Sequence, residues 1–152
     1  MKLYRILRKK YIRDLSGEGA RLVGGRWNPK GVPLVYTSTH ESLAALETLV
    51  HSPMRNLPHD LHLAVLNFPD NLPIRAIDKK DLPNRWMDFP APSKLKSLGE
   101  EWYRAKTHIA LKVPSAIISS EFNILLNPLH SKFNTISIED VRPFTFDPRL
   151  TL

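Results

Sequence analysis

Cysteine is absent from the chain, which excludes disulfides and thiolate chemistry. No apolar run approaches the ~18 residues of a membrane-spanning helix, so no membrane contact is expected. The N-terminal "MKLYRILRKKYIRDL" lacks the apolar core and small-residue cleavage site of a signal peptide, so a cytoplasmic location is expected. Neither a Gly-x-x-x-x-Gly-Lys-Ser/Thr phosphate loop nor a His-Glu-x-x-His zinc helix is present. Ser115 lies outside any Gly-x-Ser-x-Gly, which removes a hydrolase elbow. His59 and His62 have His-x-x-His spacing but no further ligand at suitable spacing, so no metal is expected. Glycine is scarce and uneven: five of the six fall between residues 14 and 33. That stretch is expected to be a long irregular loop, and long loops inside compact domains usually carry function.

What is present fits one domain. The chain has 152 residues, 42% of them hydrophobic, enough for a real core in a single unit spanning 1–152. Lysine and arginine number 22 against 15 acidic residues, and the +7 charge favours anionic partners such as nucleotides, nucleic acid or an acidic protein. The basic clusters (Arg8-Lys9-Lys10, Lys79-Lys80, Lys94 and Lys96) are scattered and lack interleaved aromatics. A basic nucleic-acid-binding module therefore stays as an alternative of another class.

Strands are predicted at 2–7, 34–37, 61–68 and 74–77, in the apolar runs 109–118 and 122–127, and at 135–144. Ser38-Thr39-His40-Glu41 matches a capping box and predicts a helix to about His51, before Pro53. Ser97-x-x-Glu100 predicts a second capped helix through "LGEEWYRAK", after a surface excursion over 79–96. Strands mixed with two or three helices, without regular βα alternation, predict an α+β domain.

Four polar residues occupy telling settings. Glu47 sits within or at the edge of the apolar stripe of the first capped helix, where burial would cost several kcal/mol unless the carboxylate is paired. An edge position reaching solvent is the ordinary alternative. Tyr36 has the ordinary reading of a core aromatic, Arg26 of a surface charge and Ser115 of a turn hydroxyl.

Taken together these segments resemble the RES domain family, named for its arginine, glutamate and serine. The matching stretches are "LYRI" at 3–6, "GGRWNPKGVPLVYTS" at 24–38, "SLAALETLVH" at 42–51, "LGEEW" at 98–102, "ALKVPSAI" at 110–117 and "EFNILLNPLH" at 121–130. The resemblance implies an ADP-ribosyltransferase-like mixed sheet with flanking helices. It also implies an NAD-degrading toxin of a type II toxin–antitoxin pair, with a Xre-like helix-turn-helix antitoxin as partner. DNA would be met only through that antitoxin, in a hetero-oligomer holding more than one toxin copy. Carried over by motif, the catalytic residues are Glu47, Arg26, Tyr36 and Ser115. Arg5, Arg26, Trp27, Asn28, Tyr36, Ser115 and Asn127 are those expected to bind NAD. NAD would be consumed as substrate, with no cofactor and no metal; modification of a protein target by ADP-ribosyl transfer is the alternative reaction.

Overall fold

The computed structural model describes residues 1–52 and 56–150. Alternation on β1 (Lys2–Arg8) sorts its side chains between two layers. Leu3 joins Val35, Ala64, Leu66, Ile124 and Leu126 in one cluster, while Ile6 joins Leu61, Leu63 and Val65 in another. β2 (Val35–Ser38), β3 (Leu61–Asn67), β4 (Ile74–Ala76), β5 (Ala110–Pro114), β6 (Phe122–Leu126) and β7 (Ser137–Pro143) complete one seven-stranded sheet. Its order is β4-β5-β6-β2-β1-β3-β7, and β4–β5 is parallel while the other pairs are antiparallel.

Among the described residues three α-helices accompany the sheet: α1 (Glu18–Val23), α2 (Glu41–His51) and α3 (Ser93–Ala105). Ala44 of α2 packs on the Ile6–Leu63 layer. On α3, Leu95, Leu98, Gly99, Trp102 and Tyr103 form a helical stripe. Leu95, Trp102 and Tyr103 pack with Leu111, Val113, Leu125 and Trp27. Trp102 is fully buried, and its indole N–H donates to the His108 carbonyl at 3.0 Å. Since Tyr4 lies opposite Ser38 and Tyr36 opposite Leu125, α2 and α3 cover the same face. Ile12, Leu15, Phe133 and Ile136 help to close the other. The architecture is the single α+β domain expected.

Six of the seven strands fall within two residues of their predicted ends. β5 instead stops at Pro114, four residues short of 118, because the Ser115 hydroxyl accepts the Ile117 and Ile118 N–H groups and turns the chain. Three further local expectations need correcting. The 14–33 stretch is not wholly irregular, because α1 forms inside it, bracketed by Gly17 and Gly24, both at φ 73°. Ser38 does not cap α2: it is the last residue of β2, opposite Asn123, and His40 at the cap position makes no side-chain cap bond. The second helix begins at Ser93, not Ser97, because Leu95 extends the buried stripe by one turn. Ser97 instead donates to the Ser93 carbonyl at 3.4 Å, within the helix. Only 79–92 of the expected excursion remains outside α3, opening with a 3-10 turn at Lys79–Asp81. Among the described residues no helix is long and apolar enough to cross a membrane.

Candidate active site

The site begins where the sheet opens. β1 pairs with β3 along its whole length, whereas among the described residues β1 meets β2 in register only at Tyr4 and Ser38. Tyr36 lies on the diverging part of β2. Its hydroxyl donates to Asn28 Oδ1 at 2.7 Å and accepts the Trp27 backbone N–H at 3.1 Å. Asn28 is fully buried, and its Nδ2 donates to the carbonyls of Ala20, Pro29 and Val32. The turn holding Arg26 is thus bolted to the strand by one tyrosine–asparagine pair. Gly25 permits that pair, since a Cβ there would stand 2.6 Å from the Tyr36 hydroxyl oxygen. Burial pushes the Tyr36 hydroxyl well above its usual range, so it stays a neutral donor at physiological pH.

Glu47 comes from the middle of α2 and is half-buried, the paired alternative of the two read from the helix stripe. Its Oε1 accepts from two donors: Ser115 Oγ at 3.1 Å and Asn123 Nδ2 at 2.5 Å. Ser115 is fully buried just past β5, and its hydroxyl oxygen accepts the backbone N–H groups of Ile117 and Ile118 at 3.0 and 3.2 Å. With its lone pairs occupied there, the Ser115 proton is directed at Glu47. No donor among the described residues reaches Glu47 Oε2, which stays free to meet a ligand.

Arg26 completes the group. Desolvation lowers its pKa, and the Glu47 carboxylate, Tyr36 and Asp88 oppose that shift, so Arg26, Tyr36 and Glu47 lie within electrostatic reach of one another. Its Nη1 and Nη2 donate to the carbonyls of Trp86 and Asp88 at 2.7 and 3.2 Å. The 79–92 excursion, whose role the sequence left blank, is therefore anchored on the arginine of the site. A guanidinium has five N–H donors, so two such bonds leave it capacity for an anion.

Residues 2–147 match the family model of the RES domain. The chain belongs to the RES domain family. Among its relatives is Toxin Res of Yersinia enterocolitica, 39% identical over 153 residues and covering 99% of both chains. Toxin Res of Photorhabdus laumondii is 42% identical over 156 residues, covering 99% of this chain and 97% of the other. The Prs ADP-ribosylating toxin of a Sphingobium species is 38% identical over 139 residues, covering 90% and 86%. In fold, the chain resembles the M. tuberculosis MbcT–MbcA toxin–antitoxin complex, with a TM-score of 0.79 at 18% identity over 99% of this chain and 86% of that one.

Arg26, Glu47, Ser115 and Tyr36 form one group in this chain; other expected contacts lie elsewhere. Trp27 is 3% exposed and packed under α3 in the core. The polar atoms of Asn28 are engaged within the chain, so it supports the turn. Asn127 is fully buried, donating to the Tyr103 carbonyl and accepting from Leu129 N–H, four residues along from Asn123. Arg5 is mostly buried; Nη1 donates to the Asp14 carbonyl at 2.9 Å, and Nε is buried without a partner among the described residues. Burial pulls its pKa down to about 10. No bond joins Arg5 to the Glu47 group, although its idle donor leaves it a ligand-binding capacity. Asn123 was not among the expected site residues although it lies in the matching stretch "EFNILLNPLH"; the structure places it directly across from Ser38.

Proposed function

We propose that this chain is the toxin of a toxin–antitoxin pair and acts by cleaving the nicotinamide–ribose bond of NAD. The observation that carries this reading is a carboxylate held at one oxygen, open at the other, beside an arginine and a neutral tyrosine. The names of the Yersinia and Photorhabdus relatives support the toxin role.

The chemistry fits these residues. Departure of nicotinamide leaves cationic character on the ribose, as at other glycosidic centres. The ring nitrogen becomes neutral as it leaves, so no general acid is needed. Glu47 Oε2 can hydrogen-bond a ribose hydroxyl and hold negative charge where positive charge grows. The remaining Arg26 donors suit the pyrophosphate, with Arg5 as a further donor. Tyr36 offers its ring to the nicotinamide. Ser115 acts through Glu47. The products are nicotinamide and ADP-ribose, or its phosphorylated form where phosphate is the acceptor.

A second reading is favoured by the name of the Sphingobium relative: transfer of ADP-ribose to a protein. Both share the bond broken and differ in acceptor. The proposed partner is a Xre-like antitoxin, in an assembly with more than one toxin; the fold neighbour was itself solved as a toxin–antitoxin complex. The test incubates purified protein with adenylate-labelled NAD, with and without phosphate and candidate protein acceptors. Release of nicotinamide is expected, and Glu47→Gln should lower it at least ~100-fold while the fold survives. Label on protein would select the transferase reading. No nicotinamide release under any of these conditions would refute both.

A further inference from the structure

We infer that Asn123 is a positioning residue that aims Glu47, and that Ser38 in turn sets the amide of Asn123. The inference rests on the proposed role of Glu47 and adds two residues that the catalytic set does not contain. Asn123 Nδ2 donates to Glu47 Oε1, and Ser38 Oγ donates to Asn123 Oδ1 at 2.7 Å. The polarity of this chain is forced. A carboxylate only accepts, so the amide nitrogen must face Glu47; the amide oxygen then faces Ser38, whose hydroxyl must donate. Ser38 is 4% exposed and fixed in β2 opposite Asn123, so the relay stands on two hydrogen-bonded strands. α2, which carries Glu47, is thereby tied to β6 by a side chain rather than by backbone.

The consequence is directional. Ser115 and Asn123 both take Oε1, arriving from β5 and β6, so the carboxylate cannot rotate without breaking one charge-assisted bond. Oε2 is left as the oxygen presented to the ligand. Small errors in such geometry are costly to a reaction that depends on placed charge. Removing Asn123 should therefore act on the chemical step, not on the affinity for NAD.

The test measures nicotinamide release by Asn123→Ala, with Asn123→Ser as the replacement if the alanine variant fails to fold. We expect kcat to fall by roughly 10- to 100-fold, with KM within about threefold and a melting temperature lower by only a few degrees, since Ser38 loses its partner. Ser38→Ala should lower kcat by a smaller factor, and the double variant should match Asn123→Ala alone, because Ser38 acts through Asn123. Activity within about twofold of wild type, a change confined to KM, or multiplying effects in the double variant would overturn the relay. A second arm reads the bond without turnover: the Asn123 side-chain amide proton should resonate downfield in NMR spectra and move upfield in Glu47→Gln. An unmoved resonance refutes the bond. A moved resonance in a protein that never cleaves NAD would sink the enzymatic reading and leave the positioning of Glu47 standing.

Discussion

Replacing Gly99 with alanine sets two known effects against each other, and the structure decides their sum. Within a helix, alanine is favoured over glycine by about 1 kcal/mol, so on an exposed face Gly99→Ala would stabilise α3. Gly99 is buried against the turn that carries Arg26, and a Cβ built there stands 1.8 Å from the Trp27 carbonyl oxygen and 2.9 Å from its carbon. Ordinary contact begins near 3.4 Å, so turn and helix must part by well over an ångström. The clashing atoms are backbone, and that backbone is pinned by the Tyr36–Trp27 and Tyr36–Asn28 bonds, so it cannot swing away. Overpacking costs ~1–3 kcal/mol, and a 1.8 Å approach to pinned backbone puts this case at about 3, which outweighs the helix gain. A net loss of about 2 kcal/mol corresponds to a melting temperature lower by roughly 4–8 °C at this chain length.

The functional effect should exceed the stability effect. Displacing Trp27 moves its neighbour Arg26, so nicotinamide release should fall even at temperatures where the variant is fully folded. Thermal melts and the NAD assay are run side by side on Gly99→Ala and on Gly19→Ala, whose added Cβ meets nothing within 4 Å. Gly19→Ala should match or exceed wild-type stability. A higher melting temperature and intact activity in Gly99→Ala would refute the close docking of the Trp27 backbone on α3.

Other expectations concern the anchored excursion and the response to acid. Arg26→Lys keeps the charge but loses the fork to the Trp86 and Asp88 carbonyls, so amide exchange over 84–90 should accelerate while exchange in the sheet is unchanged. His130 has its pKa lowered from 6.5, first by burial and then by Lys132 and His108, and its Nδ1 accepts the Lys132 N–H at 3.2 Å. Below pH 6.5 the unfolded chain takes up this proton before the folded one, so stability should fall as pH falls through that window. His130→Gln should flatten that slope in urea melts as the pH is lowered from 6.5.

Residues that act through their immediate neighbours could be read from the sequence, and those that act across the sheet could not. The apolar runs at 61–68 and 122–127 are local patterns, and β3 and β6 form where those runs lie. The capping boxes are local patterns too, yet neither forms. The Ser38 hydroxyl is taken by Asn123, 85 positions away, once β2 and β6 are in register. No local rule contains that competitor. Arg26 meets its carbonyl partners about 60 residues downstream, so the role of the excursion was invisible. Glu47 could be singled out, because a carboxylate beside an apolar stripe calls for partners. Ser115 came with the family motif; Asn123 lies in a matching stretch too, but its partners required the register of β6 with β2.

Ser115 shows how far geometry constrains chemistry. A serine hydrogen-bonded to Glu47 invites a nucleophilic role, with the carboxylate as its base. Two backbone N–H groups already point at its oxygen, its proton points at Oε1, and it is fully buried. Attack on a ribose carbon would require an exposed oxygen with a lone pair free, and the Ile117 and Ile118 bonds would have to break first. Ser115→Ala therefore separates the two roles. A nucleophile's removal abolishes turnover, and the wild type would trap a covalent adduct on this residue, visible by mass spectrometry. A positioning serine leaves Asn123 still holding Oε1, so kcat should fall only about tenfold, the lower end for supporting partners. The same change orphans two backbone donors at ~1–3 kcal/mol for a buried unpaired group, lowering the melting temperature by several degrees. Loss of stability with partial activity is the expected signature; full inactivation with unchanged stability would return Ser115 to the chemical step.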